Sequence, residues 1–153
     1  MEPKLDVRQV RTAAELSDAL AVRRAVFIEE QGVPESLEID AHDAVPGSTS
    51  LAAHVAGYLD GRCVATGRLL LDASPDENVH IGRVAVLKQW RGHGFGRAVM
   101  LALQGLARER GCPGITLAAQ LHAIGFYERL GYAVRGEVFL DAGIEHLWMD
   151  LRL

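Results

Sequence analysis

The segment Arg91-Gly92-His93-Gly94-Phe95-Gly96-Arg97 sets three glycines between two arginines, and an amphipathic helical pattern follows it. Glycine lets the backbone approach a ligand closely and take φ > 0. The unpaired N–H groups of the following helix's first turn point at the same spot. Together with the helix dipole they form a site for an anion such as a pyrophosphate. Arg91 and Arg97 add charge there. Two other phosphate motifs do not fit. Gly96 is followed by Arg97-Ala98 rather than Lys-Ser/Thr, and the dinucleotide fingerprint fails at Arg97 or, one glycine later, at Val99. The plainer alternative is a glycine-rich turn carrying a solvated arginine pair.

The elements that must position this loop are legible in period and punctuation. Residues 4–10 alternate weakly as a strand. Thr12-x-x-Glu15 is a capping box opening a helix that runs to about Gln31, where Gly32-Val33-Pro34 stops it. From there to Gly47 the chain is acidic and turn-rich (Glu35, Glu38, Asp40, Asp43), which predicts a surface loop or short broken helix. Strand-like runs at 49–58 and 62–71 flank Asp60-Gly61, a hairpin signal. A third run spans 79–86. Past the glycine loop, Val99, Leu103 and Leu106 share one helical face, and Gly111 closes that helix. A short strand at 115–119 and a short helix at 122–129 follow. A terminal hairpin, 132–140 with 144–151, turns at Asp141-Ala142-Gly143. This β-α-β-β-β-α-β-α-β-β order predicts an α/β chain built on one mixed sheet with helices on its faces.

Composition narrows the function classes. With 153 residues, 49% of them apolar and 24% charged, the chain fits one globular domain over 1–153. A net charge of −4 argues against nucleic acid as a partner. Cys63 and Cys112 are isolated thiols, and neither they nor His54 and His80 have metal spacing, so no metal is expected. The opening Met-Glu-Pro-Lys-Leu-Asp lacks a signal peptide's apolar core, and no apolar run is long enough for a membrane helix. A cytoplasmic protein with no membrane partner is expected, a monomer or a homodimer.

Arg91-x-x-Gly94-x-Gly96, directly after Val84-Ala85-Val86, resembles the acetyl-CoA signature of the GNAT N-acetyltransferase superfamily. Ala123-x-x-Phe126-Tyr127-x-x-x-Gly131-Tyr132 resembles that superfamily's late helix–strand segment. Arg23-x-x-Val26-Phe27-x-x-Glu30-Gln31, Glu38-x-Asp40-x-x-Asp43, Ile81-Gly82-Arg83-Val84, Ala119-Gln120 and Gly143-Ile144-x-His146-x-x-Met149 resemble its ElaA-like branch. The resemblance implies a mostly antiparallel sheet in which the strand of Val84 splays from the strand of 115–119 to form an acetyl-CoA cleft. It implies that Val84, Ala85 and Val86 meet the pantetheine arm in the manner of a paired strand. The segment Arg91, Gly92, His93, Gly94, Phe95, Gly96 and Arg97 would hold the pyrophosphate, with Gln120 and Phe126 completing the cofactor contacts.

Acetyl transfer to an amine needs a neutral nucleophile, a donor for the oxyanion and a proton for the departing thiolate. A lysine-like amine is neutral in only about one molecule in ~2,500 at neutral pH. The acceptor expected is a primary amine of a small molecule or peptide, with acetyl-CoA as co-substrate. Tyr127 is the candidate acid: a phenol stays protonated at neutral pH and can donate to a thiolate. Packing beside Phe126 is its alternative role. Glu30, on the stripe of Phe27, is a candidate base or one half of an ion pair bracing the helix. His146 is a second candidate base, or a core histidine, and the Glu38–Asp43 carboxylates either attract a cationic amine or are simply solvated. An acyl-cysteine route would need a base near Cys63 or Cys112, and neither lies in the glycine or Tyr127 motifs, so direct transfer is expected. A non-catalytic acyl-CoA-binding sensor of the same fold is the alternative function.

Overall fold

Turn chemistry and periodicity resolve into a definite element order in the computed structural model, which describes residues 4–44 and 51–153. The chain runs β1 (Asp6–Gln9), α1 (Ala13–Arg23) with a π-helical continuation over Arg24–Glu30, α2 (Glu35–Glu38), β2 (Ala52–Leu59) and β3 (Arg62–Leu70). It continues through β4 (Val79–Val86), α3 (Phe95–Glu109), β5 (Gly114–Gln120), α4 (Ile124–Arg129), β6 (Ala133–Asp141) and β7 (Ile144–Arg152). The expected strand start at residue 49 and the end of the acidic stretch near Gly47 lie outside the described residues.

Local signals account for the boundaries. Asp60 and Gly61 both take positive φ, 49° and 78°, which is the twist a two-residue hairpin turn requires. Ala142 and Gly143, at 51° and 76°, do the same for β6 and β7, so the second turn is one residue tighter than expected. The Thr12 hydroxyl accepts from Glu15 N–H at 3.1 Å while Glu15 accepts from Thr12 N–H at 3.2 Å. Such a cap contributes about 1 kcal/mol. The first helix reaches the predicted end, but its last turns widen: Gln31 N–H bonds to Val26 C=O, five residues back, at 3.1 Å.

The strands form one sheet in the order β1-β2-β3-β4-β5-β7-β6, antiparallel throughout except for β4 and β5. Helices cover both faces, and the fold is a mixed, mostly antiparallel α/β architecture. On one face α3 lies directly on β3: a Cβ at Gly67 would sit 2.8 Å from both Val99 and Leu103, so only glycine allows this approach. On the other face Leu16, Ala19, Val22 and Val26 of the first helix pack on Ala56 and Ala85.

The feature that makes a site is the failure of β4 and β5 to stay together. They pair only at Val79↔Ile115 and His80↔Thr116. Beyond that point β4 holds to β3 as far as Ala65↔Val86, while β5 follows β7 as far as Gln120↔His146. A bulge sharpens the divergence, since Gly67 of β3 is opposed by both Arg83 and Val84, and Arg83 takes φ 55°. The backbone groups of β4 that face β5 beyond His80 therefore have no ladder partner among the described residues.

One expectation about this region is overturned. The acidic residues after Pro34 are not all a solvated surface run: Glu35 and Asp40 stay exposed, but Glu38 is 3% exposed and the Asp43 side chain is fully buried. Three arginines from three elements draw them inward. Arg23 donates to Glu38 at 2.9 Å and to Asp43 at 2.6 Å, Arg68 to Asp40 at 2.8 Å, and Arg83 lies 2.8 Å from Glu38. These carboxylates are neutralised and do not form an electrostatic lure for an amine.

Candidate active site

The wedge between β4 and β5 opens into a cavity of about 520 Å³. Its walls are β4 from Ile81 to Val86 on one side, and Ala118, Gln120, His146 and Trp148 on the other. Phe27, Glu30 and Gln31 form its roof, Tyr127 and His122 line it from the α4 side, and Leu37, Glu38, Arg68 and His80 line the opposite end.

The glycine loop sits beside the mouth of this cavity, through Arg91. Gly92 and Gly94 take φ 84° and 80°, and a Cβ at either would meet nothing within 4 Å. Packing does not demand glycine at either position. Gly94 is the N-cap of α3 and supplies no side-chain cap, so the first-turn N–H groups remain available to an anion. A pyrophosphate fits this arrangement of open glycines and free donors. Gly96 serves differently: a Cβ there would press on Phe126 at 3.3 Å, so Phe126 braces the loop against α4. Phe95 is 3% exposed and packed with Leu59, Val64 and Trp90, which leaves only its backbone for a ligand. His93 stays exposed, with Phe95 at 5.7 Å and Trp90 at 6.0 Å between ring centroids.

Two expected assignments change on geometry. Arg91 does not lend its charge to the loop. Its Nη1 and Nη2 grip both oxygens of Glu30 at 2.7 and 2.8 Å, and its Nε donates to Val86 C=O at 3.0 Å. Arg97 is left as the loop's arginine without an ion pair among the described residues. Glu30 in turn is an ion-pair partner, held by Arg91. The guanidinium holds its carboxyl below the usual carboxylate range, which makes it a poor proton acceptor. The Gln120 amide, expected to face pantetheine, exchanges hydrogen bonds with Gln31 at 2.9 and 3.3 Å.

Tyr127 and His146 face the same cavity. Tyr127 packs edge-on against Phe126 and Tyr132, at 5.0 and 5.9 Å, and its hydroxyl makes no hydrogen bond among the described residues. Burial pushes the phenol up to about 12, so it keeps its proton at neutral pH and has one to give. His146 is 8% exposed, stacked on Phe139 at 5.8 Å. Its Nδ1 lies 2.7 Å from Ile144 C=O, an acceptor only, so Nδ1 carries the hydrogen and Nε2 of the neutral ring keeps its lone pair. Cys63 is no rival nucleophile, since burial pushes its thiol up to about 11.

Sequence reasoning gave no role to Gln31, His80, Arg83 or Trp148, all of which line the cavity. His80 was legible only as a strand residue. Its place in the wall depends on where β4 leaves β5.

A family model described as Acetyltransferase (GNAT) family matches residues 19–132, a span holding the splayed strands, the glycine loop and Tyr127. The chain belongs to the GNAT acetyltransferase family. Among GNAT relatives, the protein named "Uncharacterized N-acetyltransferase YjcF" of Bacillus subtilis (strain 168) is 38% identical over 136 residues, covering 88% of this chain and 91% of its own. Protein ElaA of Escherichia coli (strain K12) is 32% identical over 139 residues, 90% of this chain and 88% of ElaA. The crystal structure of Escherichia coli ElaA superposes with a TM-score of 0.82 at 28% identity, covering 96% of this chain and 99% of that one. An acyl-CoA N-acyltransferase from Pseudomonas aeruginosa superposes at 0.78 with 31% identity, over 96% and 99% of the two chains. The two superposed structures match nearly the whole chain, not the loop alone. No helix among the described residues is long and apolar enough to cross a membrane.

Proposed function

We propose that this GNAT protein transfers the acetyl group of acetyl-CoA directly to the primary amine of a small molecule or peptide. The observation that carries the reading is the convergence of Tyr127, His146 and the unpaired edge of β4 on one cavity beside an anion-ready glycine loop.

The loop residues Gly92 to Gly96 and Arg97 would hold the pyrophosphate through backbone N–H groups, charge and the α3 dipole. The pantetheine arm would lie along Val84–Val86 and complete the missing strand pairing. Gln120 reaches it after releasing Gln31. Acetyl-CoA supplies a thioester carbonyl, whose oxyanion a main-chain N–H of β4 can meet without reorganisation. His146 Nε2 would accept the amine proton, and Tyr127 would protonate the leaving thiolate. With Cys63 unreactive, the amine attacks the thioester in a ternary complex. A protonated Tyr127 hydroxyl and the His146 ring on one cavity favour turnover over a sensor role.

The test is calorimetric titration with acetyl-CoA, followed by CoA release over a panel of primary amines. Binding together with amine-dependent release is expected. Binding without release on any amine supports the sensor, and absence of binding overturns the reading.

A further inference from the structure

The acceptor end of the cavity contains cationic donors that this reaction does not use. Arg83 stands immediately before Val84 with φ 55°, a left-handed conformation that a non-glycine residue keeps only where its surroundings enforce it. One edge of its guanidinium is fixed: Nε lies 2.8 Å from Glu38 Oε2 and 3.2 Å from Glu38 C=O, and Nη2 donates to Leu37 C=O at 3.1 Å. Nη1 has no acceptor among the described residues, the side chain retains 25% exposure, and the residue lines the cavity.

Arg68 lines the same end and is 4% exposed. Its Nη1 and Nη2 are held by Asp40 and Asp43, but its buried Nε has no hydrogen-bond partner among the described residues. The carboxylates that could compensate are already engaged. Glu38 is shared between Arg23 and Arg83, Asp43 between Arg23 and Arg68, and Asp40 between Arg68 and, at 3.7 Å, Arg83 Nη2. Elsewhere on the lining, Glu30 belongs to Arg91, and Asp141 sits at the end of β6, beside the terminal turn. A guanidinium held half-open toward a cavity, with no carboxylate left for its inner N–H groups, is a built anion contact. The neighbouring surface is apolar and aromatic: Leu37, Leu70 and the edge-to-face pair of His80 and Trp148 at 6.1 Å.

We infer that the acceptor is an amine that also carries a carboxylate, seated on Arg83 with its apolar body against Leu70, His80 and Trp148. This rests on the N-acetyltransferase reading and narrows it to amino-acid-like acceptors. The anchor lies one residue from the strand edge that meets the thioester. Binding the carboxylate there therefore fixes the amine's distance from the reacting carbon.

The experiment measures kcat/KM for matched pairs: α-, β- and γ-amino acids, each against its decarboxylated amine. Each preferred amino acid is expected to exceed its partner at least tenfold, the size of one charge-assisted hydrogen bond of about 1.5 kcal/mol or more. Arg83→Gln is expected to bring that ratio close to one, and Arg83→Lys to restore part of it. The ratio is the readout, so a general loss of rate in a variant does not mimic the effect, and the wild-type ratio needs no variant. Equal or better use of the decarboxylated amines overturns this inference and leaves the N-acetyltransferase reading standing. No acetylation of any amine removes both.

Discussion

Glu30 and Arg91, 61 residues apart, meet in a two-pronged ion pair of 2.7 and 2.8 Å that ties the end of the first helix to the start of the glycine loop. The same guanidinium caps Val86 C=O at 3.0 Å, so one side chain joins helix, loop and cofactor strand. Both partners are more than a third exposed, which limits the pair's worth to roughly 0–1 kcal/mol. Glu30→Gln should therefore leave kcat within about threefold while shifting KM for acetyl-CoA. A base would instead lose on the order of 100-fold in kcat when neutralised. Steady-state kinetics with acetyl-CoA and a saturating amine separates the two.

Removing the acid and the base should act on kcat and spare cofactor binding. Tyr127→Phe keeps the ring that packs on Phe126 and Tyr132 and deletes only the hydroxyl. A kcat loss on the order of 100-fold or more is expected, with the calorimetric Kd for acetyl-CoA changed less than about threefold. His146→Gln should give a loss of similar size. Unchanged turnover in Tyr127→Phe would remove the tyrosine from the chemistry.

Gly94→Ala should show the opposite split. The new Cβ meets no protein atom within 4 Å, but it stands at φ 80° on the open side of the loop. The strain is about 1–2 kcal/mol. KM for acetyl-CoA should rise roughly tenfold or more with kcat nearly kept. Identical cofactor affinity would place the pyrophosphate elsewhere.

The buried charge cluster should make stability depend on mildly acidic pH through His54. The ring is 5% exposed, with His42 C=O at 2.9 Å, and Asp43, Arg23 and Arg68 face it. Burial lowers its pKa below the usual histidine value, even though Asp43 pulls it upward. The unfolded chain thus binds the proton more readily than the folded one. Stability from His54 is complete above its unfolded pKa of about 6.5 and is lost as pH falls from there toward the folded value. Thermal melts should plateau near neutral pH and decline as pH falls below about 6.5, with a slope of at most about 1.4 kcal/mol per pH unit from this group. His54→Gln should flatten that decline. The carboxylates Asp40 and Asp43 are held low by their arginines and act only at more acidic pH.

Short-range chemistry was legible in the sequence, and long-range pairing was not. Asp60-Gly61, the Thr12–Glu15 box and the glycines ahead of α3 each encode a backbone conformation within a few residues, and each appears as expected. The fate of the acidic segment depended on Arg23, Arg68 and Arg83 arriving from a helix and two strands, so Glu38 and Asp43 of a charge run that reads as surface became interior. Glu30 was open between base and brace because its partner lay in a loop whose own charge seemed committed to phosphate. Gln120 met the same limit, since Gln31 stands 89 positions away and no local pattern links them. The bulge at Arg83 left no mark in the alternation of β4, and with it went the placing of Arg83 on the cavity wall.

Direct acetyl transfer to an amine is tested most sharply by a single-turnover experiment. Equimolar protein and acetyl-CoA are mixed and analysed by mass spectrometry before and after an amine is added. The account predicts unmodified protein and intact acetyl-CoA at first, then free CoA and N-acetylated amine in equal amounts. An acetylated protein with CoA released before the amine arrives, or no product with any amine, would contradict it.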